Sequence, residues 1–76
     1  MAHPILYQTV KVPDRELNDI EKHIFEFWPL GGNNLFATHQ IADRNKTGVR
    51  RVRRIIYRLI KEGSVKIWWT PKKEQD

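Results

Sequence analysis

Cysteine is absent, so neither a disulfide nor a thiolate metal site can hold this chain together, and packing must do it. That absence favours an intracellular home, cytoplasm or nucleoid, or the nucleus in a eukaryote. No apolar run approaches the roughly 20 residues needed to cross a bilayer. The start lacks the basic stretch and apolar core of a secretory signal, so a soluble protein is expected. The three histidines, His3, His23 and His39, are scattered without the spacing of a zinc site, and no metal or other cofactor is expected. Glu16, Glu21 and Glu26 stand five apart, which spreads them around a helix with no nucleophile beside them; the pattern does not read as an enzyme. Gly31 and Gly32 lack the Lys-Ser/Thr ending and the leading strand of a phosphate-cradling loop. Internal repeats are missing too, and 76 residues with 39% hydrophobic content leave room for one domain with one small core.

What the chain has in excess is positive charge, and it is concentrated. Thr47 to Gly63, TGVRRVRRIIYRLIKEG, holds six basic residues against one acid, Glu62, and so carries by itself the whole net charge of +5. At about 100° per residue, Val49, Val52, Ile55, Ile56, Leu59 and Ile60 collect on one stripe, the helical period. Arg50, Arg53, Arg54, Tyr57 and Lys61 fall opposite it, with Arg51 and Arg58 to one side. Thr47 is expected to cap this helix and Gly63 to end it in the left-handed conformation. A pI near 9.9 asks for an acidic partner, which could be nucleic acid, a membrane surface or an acidic protein. Membrane binding is the weaker rival, because an apolar stripe needed for the core cannot also be buried in lipid.

The rest of the chain supplies a scaffold. Ile5 to Val12 reads as a short strand, rich in β-branched and aromatic residues. Pro13 and Asp14 open a helix in which Leu17, Ile20, Ile24, Phe27 and Trp28 form an apolar stripe, with Phe25 on its flank. Pro29 stops it, and PLGGNN is a turn cluster. Leu35 to Ala37 is a very short extended piece, after which Thr38 is expected to cap a brief helix, HQIADR, with Ile41 and Ala42 inward. Asp43 to Lys46 is a tight connection. After Gly63, SVKIWWT alternates Val65, Ile67 and Trp69 against Lys66, Trp68 and Thr70, a strand with one buried side. Trp69 is expected in the core, while Trp68 points outward, to pack or to make a contact.

This order resembles a winged helix-turn-helix DNA-binding domain of the small phage or prokaryotic-regulator type. FATHQIAD matches the positioning helix, RNK the turn, TGVRRVRRIIYRLIKEG the recognition helix and SVKIWWTPKK the wing. A weaker resemblance is to the Zα domains that bind left-handed duplexes, with Tyr57, Thr70 and Pro71 at matching positions and Trp68 or Trp69 as the nearest wing aromatic. It departs from that pattern at Arg53 and Val49, and no tryptophan follows Pro71.

The resemblance implies an α+β fold: three helices, a small antiparallel sheet and an extra N-terminal strand. Residues 1–12 would form that strand or arm, 13–70 the core and 71–76 a flexible tail. It also implies double-stranded DNA as partner and transcriptional regulation as the role. A recognition helix fits the major groove, where Arg50, Arg53, Arg54 and Tyr57 would meet base edges and Arg51, Arg58 and Lys61 phosphates. Thr38 and His39, with the free amides at their helix start, would seat a phosphate, and Thr47 lies at the head of the recognition helix. Lys66, Lys72 and Lys73 would let the wing touch the backbone, with Trp68 beside them. The strand from Ile5 to Val12 is the candidate for pairing two chains in a homodimer or for extending the sheet. The alternative class is a protein-interaction domain using the Trp68 surface.

Overall fold

A computed structural model describes residues 4–30 and 34–71. In chain order the elements are β1 (Leu6–Thr9), α1 (Asp19–Phe27), β2 (Leu35–Phe36), α2 (Thr38–Asn45), α3 (Val49–Lys61) and β3 (Val65–Trp69). Among the described residues they form an α+β domain of three helices and one antiparallel sheet of order β2-β1-β3.

The N-terminal strand is the middle of that sheet, not an added arm. Tyr7 pairs with Phe36 on one side and Ile67 on the other, and Thr9 pairs with Val65. Both edges of β1 are therefore taken within the chain, which corrects the expectation of a strand free to join two copies; extension of the sheet is the use it is put to. Pairing covers only Leu6–Thr9 of the expected Ile5 to Val12. Beyond it Val10 and Lys11 both donate to the Ser64 carbonyl, at 2.8 and 3.3 Å, and their stretch leaves the sheet.

Asn18, not Pro13, starts the first helix. Its side chain accepts from the Glu21 N–H at 2.8 Å, and the Glu21 carboxylate accepts from the Asn18 N–H at 3.0 Å, a reciprocal capping box. Two amides satisfied at once outweigh a proline that only fixes φ. Helix α1 buries Ile20 and Ile24; Phe27 ends up exposed, stacked on His23 at 4.3 Å with the Arg44 guanidinium 4.9 Å over its ring. The expected place for Phe27 in the core is thus wrong, because the last turn of α1 meets Arg44 of α2 and not an apolar layer.

Neither threonine caps its helix. Thr38 is the first helical residue of α2, preceded by Ala37, whose N–H donates to the Gln40 side chain at 2.8 Å. Thr47 lies in the turn, donating its N–H to the Ala42 carbonyl at 3.0 Å, and Gly48 precedes α3 without a side-chain cap. That turn is made by Lys46 at φ 51°, the left-handed position that usually takes glycine. Gly63, at φ 80°, closes α3 as expected: its N–H and that of Ser64 return to Ile60 and Leu59 at 3.0 and 2.9 Å, a Schellman ending.

The core is a single cluster. Val52, Ile56 and Leu59 of α3 meet Ile20 and Ile24 of α1, Ile41 and Ala42 of α2, and Tyr7, Phe36 and Val65 of the sheet. Each large side chain so buried contributes about 1.5–3 kcal/mol. In β3, Tyr7 opposes Ile67 but Leu6 opposes Trp69, so Trp68 is an extra residue on that strand. Ile67 and Trp69, both expected inward with Val65, are 45% and 40% exposed, because β3 is an edge strand and the core covers only its Val65 end.

One polar node ties the two ends of the helical layer. The Arg15 guanidinium bonds the buried Glu21 carboxylate at 2.7 and 3.0 Å and the Glu62 carboxylate at 2.8 and 2.9 Å, joining the start of α1 to the end of α3. Those contacts hold both carboxyls below the usual carboxylate range and raise the guanidinium.

Candidate functional site

Helix α3 positions the candidate site because its inner face is fully committed to the core. Val52, Ile56 and Leu59 are completely buried, Ile55 and Ile60 pack on the flanks, and the outer face is left to Arg50, Arg51, Arg53, Arg54, Tyr57, Arg58 and Lys61, all exposed. Rotation about the helix is thereby fixed: turning it would bring a guanidinium into the core.

The arrangement of charge on that face is unfavourable to the isolated helix. Arg50 with Arg53, Arg50 with Arg54, Arg51 with Arg54 and Arg54 with Arg58 are like-charged pairs at i+3 or i+4, each costing a few tenths of a kcal/mol. Arg50 and Arg51 also stand in the first turn, where the helix dipole is positive and no acid complements it. The described ion pairs leave this cluster alone. Glu62 is held by Arg15 at 2.8 Å and reaches only Arg58, at 3.7 Å across exposed side chains, an i,i+4 contact of small worth. Among the described residues, no carboxylate lies within ion-pair distance of Arg50, Arg51, Arg53 or Arg54.

Two hollows open on this side. Arg50, Arg53, Arg54 and Tyr57 surround a shallow depression of about 260 Å³, and Tyr57 stands 49% exposed among the three guanidinium groups. Arg53 also borders a second hollow of about 240 Å³, shared with Tyr7, Thr38, His39 and Val49. Tyr7 is buried in the sheet, and that burial pushes the pKa of its phenol up, with the neighbouring Thr38 side chain and Arg53 charge acting against the rise. Thr38 is half-buried, whereas His39 beside it at the head of α2 is exposed.

The structure thus brings Arg50, Arg53, Arg54 and Tyr57 together and sets Thr38 and His39 beside Arg53. Arg51 and Arg58 lie along one flank of the face, and Lys61 continues it one turn beyond Tyr57. Thr47 is half-buried in the turn between α2 and α3, away from both hollows. Lys66 and Trp68 are exposed on β3, which lines neither hollow. Lys72 and Lys73 lie outside the described residues. Of the positions matched to Zα domains, Tyr57 is exposed on α3, Thr70 is exposed after β3 and Pro71 is half-buried.

Two residues emerge that the pattern of the sequence assigned elsewhere. Val49, expected in the apolar stripe, is 41% exposed at the first turn of α3, on the open hollow it shares with Arg53. Tyr7, one of several alternating strand residues, lines the same hollow and so brings β1 to the edge of the site. Nothing local in the sequence marks either residue: a helical wheel puts Val49 between Ile56 and Ile60, within the stripe.

Among the described residues, no helix is long and apolar enough to cross a membrane, and no group of three His, Asp or Glu could hold a metal ion. Comparison with known proteins finds no matching family, no matching curated protein and no matching solved structure.

Proposed function

We propose that this chain is a winged helix-turn-helix module that binds double-stranded DNA, with α2 as the positioning helix and α3 as the recognition helix in the major groove, acting in sequence-specific transcriptional regulation. The observation that carries the reading is the unpaired cluster of Arg50, Arg51, Arg53 and Arg54 on the outer face of a helix whose inner face is locked in the core. Repulsion within that cluster, and its placement at the positive end of the helix, cost stability that a polyanion restores. A helix about 10–12 Å across fits the major groove, where guanidinium groups offer paired donors to guanine.

Arg50, Arg53 and Arg54, with Tyr57, take the base-edge role; Arg51, Arg58 and Lys61 on the flank and far turn take phosphates. The head of α3 adds to this: Gly48 supplies no side-chain cap, so the first amides of the helix are left to a ligand such as a phosphate. β3 follows α3 directly in the chain, as a wing would, although its sheet partner is the N-terminal strand β1.

Selection of bound duplexes from a random pool tests the reading, since it reports binding, motif and half-site symmetry together. An enriched motif containing guanine supports it; equal retention of all duplexes removes the regulatory part. A second reading, a protein-interaction domain, rests on Ile67, Trp68 and Trp69, which are 45%, 53% and 40% exposed along a strand at the edge of the sheet. It requires that the arginines meet an acidic protein, and DNA affinity unchanged by reversing their charge would favour it.

A further inference from the structure

The first turn of α3 carries an exposed apolar side chain at the edge of its cationic outer face. Val49 is 41% exposed, and Arg53, four residues on, stands beside it on the same side of the helix. The two line one open hollow of about 240 Å³, whose apolar wall also includes Ile5 and whose rim bears His39. An exposed valine on a surface otherwise given to guanidinium groups gains nothing from water. A methyl group set among hydrogen-bond acceptors would satisfy both kinds of side chain at once.

Resting on the DNA-binding reading above, we infer that Val49 is a specificity-determining residue that recognises the C5-methyl group of a pyrimidine in the major groove, next to a guanine bound by Arg53. Thymine presents that methyl in unmodified DNA, and 5-methylcytosine presents the same group. Charge complementarity brings the duplex to this face, because the hollow borders the unpaired arginines. Side chains at i and i+4 are about 5–6 Å apart and base pairs about 3.4 Å, so the pyrimidine and the guanine lie within one or two steps of each other.

The test uses the duplex enriched from the random pool, with each thymine replaced in turn by deoxyuridine, which removes only the methyl. The full-length protein loses about fourfold in affinity at one thymine, the loss expected for one buried methyl. Val49→Ala, whose fold is checked by circular dichroism, binds the thymine and uracil duplexes equally at that position and still prefers the motif's guanine. Placing 5-methylcytosine there restores full affinity if the methyl is what is read; unmodified cytosine does not. The inference is overturned if no thymine in an enriched motif distinguishes uracil, or if Val49→Ala keeps the same thymine preference. If no duplex is retained at all, the DNA-binding reading fails, and this one with it; if all duplexes are retained equally, DNA binding stands while the regulatory part and this inference fail.

Discussion

Replacing Glu21 by glutamine removes the one buried charge among the described residues while leaving the shape of the side chain. The Glu21 side chain is 1% exposed and accepts two hydrogen bonds from Arg15, at 2.7 and 3.0 Å, besides the capping bond from Asn18 at 3.0 Å. Glutamine can still accept from the Asn18 N–H, so the capping box survives, but its amide NH₂ then faces the guanidinium donor to donor. Breaking a buried pair costs about 3–5 kcal/mol. Arg15 is 26% exposed and keeps Glu62 as a partner, which lowers the expected loss for Glu21→Gln to about 2 kcal/mol. Glu21→Ala loses the cap as well, adding about 1 kcal/mol. In a domain of this size the glutamine variant should melt about 8–16 °C lower near neutral pH.

The pH dependence has a definite sign. Arg15 holds the Glu21 carboxyl below its ordinary value of 4.5, so this group contributes stability above that value and loses the contribution as pH falls through its folded-state pKa. The gap between wild type and Glu21→Gln should therefore narrow in acid. Thermal unfolding by circular dichroism, near neutral pH and near pH 3, measures both effects. A variant as stable as wild type, or a gap that does not change with pH, would refute the reasoning.

Three further substitutions probe the turns that set α3 in place, each read by chemical denaturation. Lys46→Gly should stabilise by about 0.5–1 kcal/mol, because Lys46 occupies the left-handed region at φ 51°. Gly63→Ala should cost about 1–2 kcal/mol: a Cβ there meets nothing within 4 Å, so the whole loss is backbone strain at φ 80°. Ser64→Ala should be neutral or stabilising by up to about 1 kcal/mol, since the buried Ser64 hydroxyl has no hydrogen-bond partner and only its backbone N–H and carbonyl are used.

Much of the helical layer was legible because it is local. The spacing of Val52, Ile56 and Leu59 identifies the inner face of α3, and with it the exposure of every arginine; Gly63 marks the end of the helix by its own chemistry. What the sequence concealed depends on other parts of the chain. The central place of β1 is set by pairings with Phe36 and Ile67, far apart in sequence. The expected burial of Ile67 and Trp69 failed because the core reaches only the Val65 end of this edge strand. Pro13 advertised a helix start that the Asn18 and Glu21 capping box overrode, and Thr38 and Thr47, both competent caps, were displaced by one residue. Lys46 in a glycine conformation is held by the Ala42 and Asp43 carbonyls, which bond the amides of Thr47 and Lys46.

The most direct measurement is the affinity of the full-length protein and of Arg53→Glu plus Arg54→Glu for the same duplex DNA at two salt concentrations. Binding by the variant should fall on the order of a hundredfold or more, from the loss of two paired-donor contacts. Its dependence on salt should also become shallower as the positive face is depleted. Equal affinity and an equal salt slope for the two proteins would contradict the assignment of this helix to DNA.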